Sequence, residues 1–216
     1  MFEIRNTGTF PLLGLNVFYI GQIADSFVEK YGKSYIRQKK EVPMSFIDLA
    51  KSRYSCRAFD ARPVECEKLQ QILEAGRLAP TATNAQPVNV LVLKSEASLN
   101  KLRSLTRMGY NAPVVLLVCY DTAVSWKALN YNDSFDAGDM DASIVATHMM
   151  LAAKDIGLDT LWARAFNAKD MANAFNLPET VRVACILDVG YADPEKGTPS
   201  PRHASRKEIS DFAKEL

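Results

Sequence analysis

Arg53-Tyr54-Ser55-Cys56-Arg57 sets two guanidinium groups and a hydroxyl within five residues. A guanidinium is a planar fork that meets phosphate oxygens in pairs, and a charge-assisted hydrogen bond contributes about 1.5–3 kcal/mol. The chemistry on offer is the grip of a monophosphate; the alternative is a solvated basic turn. A second segment, Ala79-Pro80-Thr81-Ala82-Thr83-Asn84-Ala85-Gln86-Pro87, strings together small polar side chains. Small hydroxyl and amide groups let a flat ring approach the backbone, and Asn84 can both donate and accept. Taken alone, this is also what an ordinary connection between helix and strand looks like. Two more segments stand out: Leu161-Trp162-Ala163-Arg164 after Gly157, and Pro201-Arg202-His203-Ala204-Ser205-Arg206 near the C-terminal end.

Other chemistries lack their residues. Cys56, Cys66, Cys119 and Cys185 are scattered, with no C-x-x-C pair, and read as reduced thiols rather than disulfides or zinc ligands. His148 and His203 are too few for a His-rich metal site. No G-x-G-x-x-G and no G-K-[ST] occurs, so neither a Rossmann dinucleotide site nor a P-loop has support. Cys56 has no histidine near it in sequence to activate it and reads as a small filler. His148 reads as a packed, hydrogen-bonded residue on the buried face of a helix, the alternative being a catalyst, and Trp162 as core, the alternative being a substrate platform. Lys and Arg number 26 against 25 acidic residues, a formal charge of +1, so no global field recruits nucleic acid or an anionic membrane.

The elements that must position these residues follow from periodicity. With 216 residues, 48% of them hydrophobic, the chain can bury one sizeable core with an appendage. Ser45 followed by Asp48 fits a capping box and starts a helix. Pro63 lies near the start of a second helix, which carries Leu69, Ile72, Leu73 and Gly76 on one face and ends at Pro80. Strands are expected at 88–93, 114–120, 160–165 and 181–189, the second a buried apolar run, with a turn at Gly190-Tyr191. Short helices are expected at 99–107 and 169–175. Residues 136–156 form the longest helix, closed by Gly157, with small and apolar residues on nearly all sides and therefore buried. The result is an α+β layout around one sheet.

Residues 1–43 differ in character. Their longest apolar stretch, 10–24, is interrupted by Gly14, Asn16, Gly21 and Gln22, too short and polar to span a membrane and without the flanks of a secretory signal. Two readings stand: Met44 is the natural start, the upstream part being translated from a misplaced start, or the segment is an arm that packs on a partner subunit. Residues 44–216 form the functional domain in either case.

Taken together and in order, the four segments resemble the nitroreductase family of FMN-dependent oxidoreductases. The family pattern is an R-x-S-x-R-x-F opening, an A-P-S-x-x-N-x-Q-P loop, a D-x-x-x-A…L-A-A…G-L-G-T-x-W segment, then G-Y and a C-terminal R-H-x-x-R-K. The resemblance covers residues 44–216 and implies a central, mostly antiparallel sheet flanked by helices, in a homodimer with the 136–156 helix at its core. It implies that Arg53 and Ser55 hold the FMN phosphate and ribityl oxygens, that Tyr54 adds a backbone contact, and that Arg57 lies near the pyrimidine edge, where its charge favours the reduced ring. It implies that Thr81 and Asn84 line the ring from the partner subunit, and that the backbone of Leu161, Trp162, Ala163 and Arg164 covers the ring edge and offers an N–H. Arg206 completes the phosphate site, with Arg202 or His203.

The implied activity is reduction of nitroaromatics, quinones or related small electrophiles by NADH or NADPH, in the cytoplasm and by ping-pong kinetics. No protein residue serves as acid or nucleophile, and no nucleic acid or membrane partner is expected. A non-catalytic FMN carrier or redox sensor, and relatives that dehalogenate or cleave flavin, are alternatives. The sequence departs from the pattern at Thr81 and Ala82, where serines are common, at Asp159, where glycine is usual, and at Ala163-Arg164, where Ile-Gly is frequent. Asp159 makes the backbone less permissive. Arg164 reads as a solvated residue, the alternative being a contact to an anionic substrate.

Overall fold

A computed structural model describes residues 44–131 and 134–216. Both readings of residues 1–43 lie outside the described residues. The chain from Met44 onward forms helices α1 (Phe46–Ser52), α2 (Cys66–Arg77), α3 (Glu96–Leu105), α4 (Gly138–Asp155), α5 (Ala168–Ala174) and α6 (Ile209–Phe212). Four strands, β1 (Val88–Leu93), β2 (Val114–Asp121), β3 (Asp159–Ala163) and β4 (Val181–Gly190), make one sheet in the order β1-β2-β4-β3. Every neighbouring pair is antiparallel.

Strand β2 shows why the sheet sits at the centre. Val114, Leu116 and Val118 pack with Leu69 and Ile72 of α2 and with Val145, Ala146 and Met149 of α4. Val115, Leu117 and Cys119 point the other way, into a cluster with Leu99 and Leu102 of α3 and Met171 of α5. Antiparallel sheets often leave one face to water, giving alternating sequences; here helices cover both faces, so β2 reads as an unbroken apolar run.

Local chemistry sets the ends of the elements. Ser45 caps α1, accepting from Asp48 N at 3.1 Å. Ser95 caps α3 by accepting from Ser98 N at 3.2 Å, which starts that helix at Glu96, ahead of the expected 99. At the far end of α4, Leu158 N donates to Ala153 O at 2.8 Å and Gly157 N to Lys154 O at 3.1 Å, the two bonds of a Schellman closure. Gly157 has φ +80, which glycine adopts without a Cβ penalty.

Several sequence expectations shift. Helix α4 begins at Gly138 because Asp136 is held in a bridge with Lys127 and its Oδ1 accepts from Gly138 N at 2.9 Å. Strand β3 ends at Ala163, after which Ala165 O is taken by Thr106 Oγ1 at 3.0 Å. Strand β4 runs through Gly190, so the expected turn there is the last strand residue. Helix α4 is buried on one side only: Asp141, Val145, Met149 and Ala153 face inward, while Asp139, Met140, Thr147 and His148 are exposed within one chain. His148 is therefore not on the buried face, and its Nδ1 contacts Ile144 O at 2.9 Å. Small residues all round the helix hide which stripe the core uses. Trp162 is also not core. It is 39% exposed, because β3 is an edge strand and Trp162 projects from the face opposite buried Leu161 and Ala163.

Candidate functional site

The segment after α1 is laid along the outer edge of β3. Ser55 bridges Thr160 in parallel, and Cys56 N donates to Thr160 O at 3.0 Å. Cys56 is fully buried, its Sγ 3.0 Å from Ala58 O, and burial raises its thiol pKa, so it is a core plug as its sequence context suggests. With Cys56 turned inward, its neighbours Ser55 and Arg57 turn outward. Arg53 closes α1 as its C-cap, its N–H donating to Leu49 O.

The C-terminal segment comes back to the same place. Ser200 caps the 3-10 turn Pro201–Ala204, accepting from Arg202 N at 3.2 Å. His203 Nε2 meets Lys51 O at 2.9 Å, and its ring lies edge-on to Tyr54, 6.2 Å between centroids. Tyr54 OH donates to Gly197 O at 2.5 Å. These contacts tie the last turn of α1 to a segment about 150 residues further on and build one cleft of about 230 Å³. Its lining is Arg53, Tyr54, Ser55, Arg57, Ser200, Arg202, His203 and Arg206, with no acidic side chain.

The electrostatics of the cleft are unbalanced. Burial, then the nearby Arg206 charge, lowers the Arg53 pKa. Among the described residues Arg53 has neither an ion pair nor a side-chain hydrogen bond. Arg206 donates only to the carbonyls of His203 and Ser205, at 2.6 and 2.7 Å, and Arg57 to Ser55 O at 3.2 Å. Arg57 and Arg206 are exposed, but Arg53 is half-buried, and a charge partly withdrawn from water is normally paired, so the arrangement fits a bound anion with several acceptor oxygens. Behind it, Lys154 Nζ pairs with Asp159 Oδ1 at 2.9 Å, both partly buried, and the Tyr54 pKa is pushed up to about 12 by burial and then by Asp159. The aspartate that departs from the family's glycine is thus the partner of a lysine five residues before it.

Of the sequence-derived site residues, Arg53, Tyr54, Ser55, Arg57, Arg202, His203 and Arg206 share this cleft. Thr81 and Asn84 do not enter it. Thr81 lines a separate groove of about 220 Å³ between α2, β1 and α4, and Asn84 is exposed. Leu161, Trp162, Ala163 and Arg164 also lie outside it. Thr160 turns its carbonyl towards Cys56, and by the two-residue period of a strand Trp162 directs its backbone groups to the same open edge. Arg164 is exposed, its Nη1 donating to Phe166 O at 3.0 Å and its guanidinium stacked 4.8 Å from the Phe166 ring centroid.

Two contributors escape a reading of the sequence. Ser200 lines the cleft, and its signal is a serine directly before Pro201, a helix-start pattern. Asp141 is 2% exposed and accepts from Ala82 N at 2.9 Å, tying α4 to the 81–86 loop; nothing local marks it. Among the described residues no group of three or more His, Cys, Asp or Glu is placed to hold a metal ion.

The chain resembles proteins of one family. It matches the nitroreductase family description over residues 50–108 and 100–191. A nitroreductase family protein of Clostridium difficile 630 is 36% identical, with a TM-score of 0.73 over 79% of this chain and 98% of that one. A protein of Exiguobacterium sibiricum 255-15, provisionally named a nitroreductase and solved in complex with FMN, has a TM-score of 0.67 at 24% identity over 80% of this chain and 98% of that one. A protein of Archaeoglobus fulgidus, provisionally named an NADH dehydrogenase/NAD(P)H nitroreductase, is 27% identical over 67% of this chain and 84% of its own length. The chain belongs to the nitroreductase family.

Proposed function

We propose that this protein is an FMN-dependent oxidoreductase that uses NADH or NADPH to reduce small electrophiles such as nitroaromatics and quinones. The observation that carries the reading is the cleft in which half-buried Arg53 stands beside Arg206 with no carboxylate to balance them. A phosphate monoester fits that donor set: two guanidinium forks and the Ser55 and Ser200 hydroxyls. Arg53, Ser55 and Arg206 would hold the phosphate and nearby ribityl oxygens, with Arg202 and His203 at its rim and Tyr54 lending its backbone. FMN, when bound, would supply two-electron transfer between the nicotinamide and the acceptor.

The chain's own part is to bind, orient and tune. Arg57 offers a fixed positive charge two residues from Ser55, towards the pyrimidine edge. The open edge of β3 at Trp162 offers a backbone N–H that nothing else in the sheet takes, between buried Leu161 and Ala163 and next to Arg164.

The same reading makes the protein a cytoplasmic homodimer whose 44–216 domain holds FMN at the interface, with Thr81 and Asn84 reaching the ring of the neighbouring protomer. Exposed Met140 on α4, Phe46 and Ile47 on α1, and Ile209 and Phe212 on α6 are the apolar surface such an interface would cover. No helix among the described residues is long and apolar enough to cross a membrane. Anaerobic spectroscopy tests the proposal: bound flavin should bleach within the mixing time with NADH or NADPH and recolour with a nitroaromatic or quinone. A protein that stays yellow under both nicotinamides is a carrier, and a colourless protein that takes up no FMN ends the reading.

A further inference from the structure

The loop between α2 and β1 has a backbone that its residues do not favour. Thr83, Asn84 and Gln86 have φ values of 51, 57 and 52, in the left-handed region that residues with a Cβ rarely occupy. Three such residues within four positions must be held by something outside themselves. Part of the restraint is internal: Gln86 N donates to Thr81 Oγ1, Asn84 N to Thr81 O and Ala85 N to Ala82 O, each at 3.0 Å. The tie from outside the loop comes from α4, where Asp141 Oδ1 accepts from Ala82 N at 2.9 Å.

Asp141 is costly where it stands. It is 2% exposed, and its second oxygen, Oδ2, is buried with no hydrogen-bond partner. An apolar residue would pack there without leaving an acceptor unused. Its place in the first turn of α4, at the positive end of the helix dipole, offsets part of that cost. What the carboxyl does that a leucine could not is accept from the loop.

We infer that Asp141 is a positioning residue: through Oδ1 it locks the 81–86 backbone in its left-handed conformation and so sets where Thr81 and Asn84 stand against the flavin ring. This rests on the FMN reading above. Neither Asp141 nor any residue of the 81–86 loop lines the arginine-rich cleft, so this role is separate from the grip on the phosphate.

The full-length protein is titrated with FMN and with riboflavin, following the visible spectrum of the bound ring and the folded state by circular dichroism. Asp141→Ala should weaken both flavins by about tenfold or more, the loss expected for one hydrogen bond to a charged group. The ratio of FMN to riboflavin affinity, which reads the phosphate cleft, should not change, and the bound spectrum should move towards that of free flavin. Asp141→Asn keeps an acceptor oxygen in place and should restore both affinities to within about threefold.

Ala82→Pro removes the donor from the other side. Thr81 is already extended, at φ −131 and ψ 159, as a residue before proline must be, and Ala82 opens a turn where proline is tolerated. That variant should reproduce the Asp141→Ala loss even if Asp141→Ala does not fold. Wild-type affinity and spectrum in either folded variant overturn the inference, as does an Asp141→Asn protein as weak as Asp141→Ala. If the wild type binds neither flavin, the FMN reading fails and this role fails with it; a flavin-binding wild type beside an indistinguishable Asp141→Ala protein removes this role alone.

Discussion

The Arg53 guanidinium lies half-buried beside Arg206, and burial together with that second positive charge lowers its affinity for its proton. Two like charges converging from opposite ends of the domain are unfavourable alone and favourable around an anion.

Replacing either arginine should therefore weaken FMN without unfolding the protein. Arg53→Ala and Arg206→Ala are each expected to cost about 1.5–3 kcal/mol of FMN binding, roughly tenfold to a hundredfold, with riboflavin affinity little changed. Fluorescence titration measures both. Inorganic phosphate should also raise the melting temperature of the wild type and not that of the double variant, because a ligand stabilises the state that binds it. An FMN affinity untouched by the double replacement removes the phosphate site.

Asp188 should make stability fall as pH rises. It is fully buried in β4, neither carboxyl oxygen has a hydrogen-bond partner, and burial pushes its pKa up to about 8 from 3.8, against a smaller opposing pull from Arg103. Between those two values the folded protein keeps a proton that the unfolded chain has released, so unfolding becomes easier with each step up in pH. From pH 5 to pH 7 this group should remove about 2–3 kcal/mol of stability. Asp188→Asn should abolish that component, leaving a flatter stability curve that lies above the wild type at pH 8 in urea melts. Equal slopes for the two proteins would mean that Asp188 is ionised in the fold.

Gly157→Ala should destabilise through the backbone alone. An added Cβ meets nothing within 4 Å, but φ is +80. The expected cost is about 1–2 kcal/mol, seen as a lower urea midpoint with an unchanged slope. Gly157→Asn should cost less, since asparagine tolerates the left-handed region. An alanine variant as stable as the wild type would show that the closure of α4 relaxes to another geometry.

Arg164 should be a spectator. Its guanidinium already stacks on Phe166 and bonds to that residue's carbonyl from an exposed position. Arg164→Ala should shift the ratio of KM values for anionic and neutral quinones by less than about threefold, since exposed charges contribute little. A larger, salt-sensitive shift would make it a determinant of acceptor choice.

Most of the helices and strands were legible along the chain. Ser45 and Gly157 mark helix ends through bonds to residues a few positions away, and the run around Leu116 declares a strand covered on both faces. Such signals survive in one dimension because their partners are sequence neighbours or because periodicity repeats them. The guanidinium spacing at Arg53 and Arg57 was legible for the same reason.

Long-range packing settles which residues share a cleft and which side of a helix faces the core. Arg206 and Ser200 join Arg53 because His203 is bonded to the Lys51 carbonyl, a contact with no local trace. His148 and Trp162 were misplaced because small residues around α4 disguise its buried stripe and because an edge strand looks, in sequence, like any other. Asp141 and Asp188 are ordinary aspartates until the sheet and the loop close over them, since burial and an unpaired carboxyl oxygen are properties of surroundings that come from distant parts of the chain.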